Sequence, residues 1–219
     1  MKKEFIYIKK ACRLSDKVLQ ETIKNIKDKN LKTELQTSDF IKKQIKDLNC
    51  KLAFKPIVAN NSRKIHHKAR KKKFENGFII LDLGVKYKGY CSDLTRTIYL
   101  GKPSSYHKKL YNLLKKTQLK TIKNLKLNKR YKEIDIAARK NLKGYRKYFR
   151  HSLGHGVGKR IHQAPKLGPR NNKRLKNNII FTIEPGIYFK NVGIRIEDTI
   201  LFNNHPIILT KSPKNLIVI

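Results

Sequence analysis

Acidic residues are scarce in this chain of 219 residues: 15 Asp and Glu stand against 53 Lys and Arg, a formal net charge of +38. No apolar run approaches the roughly 18 residues that a membrane-spanning helix needs, so no membrane role is expected. The opening MKKEFIYIKKACRLSDK is basic but has no unbroken apolar stretch, so no signal peptide is expected. Three cysteines (Cys12, Cys50, Cys91) are too few, odd in number and too irregularly spaced for a disulfide framework. A reduced, cytoplasmic compartment is expected instead. Pro-rich tracts, Gly/Ser linkers and internal repeats are all missing, which predicts one domain over residues 1–219. Apolar residues still make up 39% of the chain, enough for a core, which excludes a wholly disordered protein.

Charge of this size suggests a polyanion partner, but its composition points elsewhere. Lys occurs 41 times, Asn 18 times, Arg 12 times and Ala only 7 times. That skew is expected of AT-rich coding drift, whereas selection for phosphate recognition favours the planar fork of Arg. Contact with nucleic acid is therefore expected to be at most non-specific, through net positive charge.

The first third reads helical, with Ile8, Ala11, Cys12, Val18, Leu19, Ile23 and Ile26 at three-to-four-residue steps. A second helix fits Ser38 as its N-cap. Residues 51–60 read as extended, and residues 61–77 as a basic loop. FIILDLGVKY and YCSDLTRTIYL read as strands around a turn near Lys88-Gly89. Residues 104–128 and 132–144 read as helices, the second closing on Gly144. From residue 151 onward short strands and turns dominate. The expected class is α+β, with helices on one face of a curved antiparallel sheet.

Where the few acids sit carries the chemistry. Asp82 and Glu184 each lie inside an apolar strand, where a lone carboxylate is costly. A hairpin centred between Tyr87 and Lys88 would set Asp82 opposite Asp93, and one centred between Lys190 and Asn191 would set Glu184 opposite Glu197. Opposed like charges destabilise a sheet unless cations lie between them, as in sites with two ions roughly 3.5–4 Å apart. HSLGHGVGKRIH adds His151, His155 and His162 in a Gly-rich stretch, where glycine permits close backbone approach. For any single histidine, a satisfied or exposed side chain is the simpler reading. Jointly, the residues predict a metal site.

LDLGVKYKGYCSDLTRT, HSLGHGVGKRIHQAP, FTIEPGIYF and GIRIEDTILF resemble the metal-dependent aminopeptidases of the pita-bread fold. That family includes Xaa-Pro aminopeptidases, prolidases and methionine aminopeptidases, and the resemblance runs from about residue 5 to the C-terminus. It implies metal ligands at Asp82, Asp93, His155, Glu184 and Glu197, holding two divalent ions. The hard donor set suits Mn²⁺ first, with Co²⁺, Fe²⁺ or Zn²⁺ as alternatives. The implied reaction is attack of a metal-bridging hydroxide on the N-terminal peptide bond of short peptides. Glu184 would move the proton, His162 would steady the tetrahedral intermediate, His66 would bind substrate, and Arg195 would support the metal carboxylates.

Some features depart from the family or leave alternatives open. The segment IVANNSRKIHH lacks the usual Gly and Pro, which leaves His67 as the alternative to His66. Cys91 reads either as a soft ligand or as a packing residue. Glu197 follows Glu184 by 13 positions, too close for the longer excursion of methionine aminopeptidases, so the Xaa-Pro branch is expected and the methionine branch is the alternative. Against the usual plan of the Xaa-Pro branch, the resemblance implies a catalytic domain alone, without an N-terminal accessory domain, and a homodimer is left open. From a different class, a non-catalytic nucleic-acid or ribosome-binding protein on the same fold is the rival, drawn from the charge and from RKNLKGYRKYFRH. Survival of all five ligand types among so few acids favours the enzyme. The cations around His66, including Lys71, Lys72 and Lys73, are expected either as a solvated run or as a positive rim to the cavity.

Overall fold

The computed structural model describes residues 3–62 and 68–219. Two helices open it, α1 (Lys3–Lys27) and α2 (Glu34–Asp47). The buried stripe of α1 repeats at helical spacing through Phe5, Ile8, Cys12, Val18, Leu19 and Ile26. Its C-terminal half packs on Ile41 and Ile45 of α2 and on Val58, Ile79 and Leu81. Fully burying one such aliphatic side chain contributes about 1.5–3 kcal/mol. Thr33, not Ser38, caps α2: its hydroxyl accepts from the Gln36 backbone N–H, leaving Ser38 buried inside the helix.

Six strands follow: β1 (Lys51–Leu52), β2 (Ile57–Asn60), β3 (Gly77–Leu83), β4 (Val85–Tyr87), β5 (Tyr90–Cys91) and β6 (Leu94–Leu100). Strands β2, β3 and β6 form one antiparallel sheet, and β1, β4 and β5 another. Helices α3 (Ser105–Lys123) and α4 (Tyr131–Asn141) come next, then a 3-10 turn over Lys143–Tyr148. Lys143, at φ 52, takes the left-handed position expected of Gly144.

The remaining strands are β7 (Gly154–Gly156), β8 (Gln163–Leu167), β9 (Ile179–Ile183), β10 (Gly186–Phe189), β11 (Val192–Arg195), β12 (Asp198–Asn203) and β13 (His205–Ile208). They form an antiparallel sheet ordered β13-β12-β9-β7-β8 and a β10-β11 ribbon. A Thr95–Glu197 bridge joins the first half of the chain to the second. The larger core, including Phe78, Tyr111, Leu114, Phe181 and Ile194, lies between these strands and α3 and α4. Helices and antiparallel sheets segregate as α+β. No helix among the described residues is long and apolar enough to cross a membrane.

The two hairpins differ in how closely they follow the expected registers. In the second, Ile183 pairs with Asp198 and Gly186 with Arg195, which sets Glu184 against Glu197 as expected. In the first, Tyr87 pairs with Tyr90, so the turn residues are Lys88 and Gly89, both at positive φ. A two-residue turn of this kind needs left-handed backbone at both positions, which suits Gly89 and would be costly at Tyr87. Asp82 consequently pairs with Thr95 rather than with Asp93.

Candidate metal centre

Asp93 reaches Asp82 by another route. Between β5 and β6 the chain leaves the ladder, and Asp93 is fixed by Thr199, whose hydroxyl accepts from its N–H and donates to its C=O. Oxygen atoms of Asp82, Asp93 and Glu197 then lie within 4.8 Å of one another. A second group of that size joins His155, Glu184 and Glu197, and a third joins Asp93, His155 and His162. All six residues line one cavity of about 760 Å³. Segments more than a hundred positions apart therefore meet at one point.

Each position has a local cause. His155 sits on β7, held against β9 because Gly154 has no side chain: a Cβ there would lie 1.9 Å from the Thr182 carbonyl oxygen. The Glu184 N–H donates to the Leu153 carbonyl, and that of Glu197 to the Thr95 carbonyl. His162 stands edge-on to His155 with ring centroids 4.4 Å apart, on a left-handed backbone (φ 57) uncommon outside glycine.

The electrostatics are those of crowded anions. Burial first, then Glu197 and Asp82, push the Asp93 carboxyl well above its ordinary range. Burial and Glu197 do the same to Glu184. Asp82 is pushed up to about 6 by burial, against the pull of Arg195. Burial opposes the charge on Arg195, but Tyr188, Asp82, Glu184 and Glu197 outweigh it and hold the guanidinium firmly protonated. One buried guanidinium thus faces four carboxylates. Asp82 Oδ2 accepts from Arg195, yet its buried Oδ1 has no hydrogen-bond partner among the described residues. An orphaned carboxylate oxygen among like charges is expensive, and cations at this point would relieve both costs. Four carboxylates and an imidazole form a hard donor set that fits divalent ions.

A layer of polar bonds orients the carboxylates. Arg195 Nε donates to Thr95 Oγ1 (3.1 Å), and that hydroxyl donates to Glu197 Oε2 (2.7 Å). Arg195 also donates to the Tyr188 hydroxyl, which contacts His151 Nε2 at 2.9 Å. Burial lowers the His151 pKa to about 3, so its ring is neutral. Its Nδ1 faces the Ser152 carbonyl at 2.9 Å, which can only accept. The proton therefore sits on Nδ1, and Nε2 accepts from Tyr188.

His151 is thus a satisfied histidine, but one built into the cavity wall. The sequence does not single out Thr95 and Tyr188; Thr95 becomes visible only once the turn at Lys88-Gly89 sets it opposite Asp82. Cys91 belongs to an apolar cluster with Phe5, Ile8 and Cys12 and does not line the cavity, which leaves the packing role. Lys71, Lys72 and Lys73 do not line it either; Lys72 pairs with Glu75 at 2.6 Å. Among the described residues, its cations besides Arg195 are Lys55 and Lys166. His66 and His67 lie outside the described residues.

Residues 7–204 match metallopeptidase family M24. A Xaa-Pro dipeptidase of Pyrococcus horikoshii is 36% identical over 222 residues, covering 98% of this chain and 63% of that protein. The crystal structure of a prolidase from Thermococcus sibiricus superposes with a TM-score of 0.92 at 36% identity, covering 99% of this chain and 61% of the other. For an X-Pro aminopeptidase from Thermotoga maritima the TM-score is 0.91 at 33% identity, with 99% and 63% covered. The chain thus spans less than two thirds of the length of these relatives, and its architecture is the pita-bread fold.

Proposed function

This chain belongs to metallopeptidase family M24, and from that premise we propose that it is a two-metal aminopeptidase acting on short peptides, Xaa-Pro dipeptides foremost. The observation that carries the reading is the gathering of Asp82, Asp93, His155, Glu184 and Glu197 around one cavity in which, among the described residues, Arg195 is the one buried cation. In this reading those five residues hold the ions, Mn²⁺ before Co²⁺, Fe²⁺ or Zn²⁺. When bound, the ions supply Lewis acidity to the scissile carbonyl and make water a nucleophile at neutral pH.

The chain's own groups do the rest. Glu184, whose carboxyl burial and Glu197 raise well above its ordinary range, accepts the proton of the attacking water and returns it to the leaving amine. His162, beside His155 at the exposed side of the cavity, donates to the oxygen of the tetrahedral intermediate. His66 contacts substrate, by resemblance to the family. Arg195 and Thr95 keep Asp82 and Glu197 turned inward, which leaves little reorganisation for the reaction. Residues 1–219 act as one catalytic domain, and the free thiols of Cys12, Cys50 and Cys91 suit a reducing cytoplasm.

A dipeptide panel with added Mn²⁺ tests the reading. Hydrolysis of Ala-Pro and Met-Pro well above Met-Ala supports it. Preference for Met-Ala moves the chain to the methionine branch, and inactivity on every peptide with a free N-terminus overturns it.

A further inference from the structure

A second buried ion pair, Arg96 with Asp198 at 2.8 Å, lies behind the metal centre. Neither residue lines the cavity. Each follows one half of the Thr95–Glu197 bridge. Side chains alternate along extended chain, so Thr95 and Glu197 meet at the centre while Arg96 and Asp198 meet behind it. The Arg96 guanidinium is engaged on every nitrogen. Nη1 donates to the carbonyls of Thr95 (2.9 Å) and Glu197 (2.6 Å). Nη2 donates to Asp198 Oδ1 (2.8 Å) and the Ser212 carbonyl (2.7 Å), and Nε to the Pro213 carbonyl (2.9 Å). Ser212 is itself fixed from α1, where Asp16 accepts from its N–H (2.8 Å) and its hydroxyl (2.6 Å). Asp198 accepts further from Thr210, Lys214 and Gln118. Gln118 gives its amide N–H to that carboxylate, and its own buried Oε1 has no hydrogen-bond partner among the described residues. An orphaned amide oxygen is costly, and the cost falls at the point that completes the hold on Asp198.

We propose that Arg96, anchored by Asp198, is a positioning residue for the metal centre: its guanidinium locks the Thr95 and Glu197 carbonyls and so fixes where the Glu197 carboxylate stands. The proposal deepens the metallopeptidase reading above and rests on it. A buried ion pair adds little net stability over apolar residues of the same volume. What this pair supplies, and apolar residues cannot, is a planar fork of donors on two carbonyls. Glu197 is the place where such a hold matters most, because it belongs both to the group with Asp82 and Asp93 and to the group with His155 and Glu184. Turning the peptide that follows Glu197 would swing its carboxylate out of both groups, and metal ligands must keep their places to roughly 0.5 Å.

The test is Arg96→Lys in the full chain, which keeps a positive charge opposite Asp198 and removes the fork. Calorimetric titration with Mn²⁺ should show affinity weakened about 10–100-fold, the usual loss when an outer partner of a metal ligand is removed. The visible absorption of the Co²⁺-loaded variant should shift from that of the wild type, because the ligand geometry changes. In the chelated protein, hydrogen exchange at the Glu197 amide, which donates to the Thr95 carbonyl, should speed up about tenfold or more. The Glu184 amide, which donates to the Leu153 carbonyl beyond the reach of Arg96, should stay within about twofold of wild type. Asp198→Asn keeps the shape but removes the charge that anchors Arg96, and should show the same changes in smaller measure; it decides the matter if Arg96→Lys does not fold. Mn²⁺ affinity and Glu197 exchange that stay as in wild type overturn the proposal. Exchange that quickens equally at Glu184 and Glu197 overturns it too, since the pair then serves stability alone. A wild-type chain that binds no Mn²⁺ overturns the metallopeptidase reading instead, and exchange in the chelated protein still decides whether Arg96 holds Glu197.

Discussion

Replacing Glu184 by Gln keeps its shape and removes both a ligand charge and the proton carrier. Since a positioned acid or base contributes about 10²–10⁴-fold, Glu184→Gln should lower kcat by at least about 10²-fold. His162 borders the site without entering the buried carboxylate cluster, so His162→Ala should lower kcat while metal content, read by elemental analysis, stays at the wild-type level. Metal loss in that variant would make His162 a ligand. Arg195 is the buried counter-charge. In the chelated protein, Arg195→Met should cost about 3–5 kcal/mol in urea unfolding, because it strands Asp82 beside Glu197. With Mn²⁺ bound the loss should be smaller, since the ions then supply positive charge. An equal loss in both forms would mean that Arg195 serves packing alone.

At the scale of elements, the site depends on how closely β7 and β9 approach. A Cβ on Gly154 would meet the Thr182 carbonyl at 1.9 Å, and neither backbone can move without shifting His155 or Glu184. Gly154→Ala should therefore lower both Tm and metal affinity, whereas Gly89→Ala, in an open turn where a Cβ meets nothing within 4 Å, should strain only its own backbone (φ 85) and leave metal affinity intact. The same elements show what the sequence could and could not reveal. Glu184 and Glu197 were legible as an opposed pair because a single register carries β9, β10, β11 and β12 through the turn at Lys190. The Asp82–Asp93 contact was reached from a register that the chain does not adopt, since left-handed backbone at Lys88 and Gly89 moves the turn by one residue. What joins the two aspartates is tertiary, the hold of Thr199 on Asp93 from β12, and no local pattern announces a contact 106 positions away. Helix caps failed for a similar reason: Ser38 and Gly144 are suitable residue types, but Thr33 and Lys143 occupy the required positions.

For the whole molecule, the buried anions make stability depend on pH when metal is absent. The carboxyls of Asp82, Asp93 and Glu184 all lie above their ordinary values in the folded chain. Their contribution is complete below about pH 4 and is lost as pH rises through and beyond 6. His151, lowered to about 3, acts in the opposite sense by losing stability as pH falls below about 6.5, but it is one group against three. The chelated protein should therefore lose stability between pH 4.5 and 7.5, and the Tm difference between Mn²⁺-loaded and chelated protein should widen over that range. A chelated form that gains stability across it would contradict the burial of unpaired carboxylates. The +38 surface adds a long-range field that salt screens within about 8 Å; it can assist capture of anionic peptides but cannot replace the centre. The most direct test of that centre is a calorimetric titration of chelated protein with Mn²⁺, followed in parallel by Ala-Pro hydrolysis. The account predicts two ions per chain and activity that rises with occupancy, with both lost in Asp82→Asn/Glu197→Gln. Full hydrolysis in the chelated protein, or no stoichiometric binding, would contradict it.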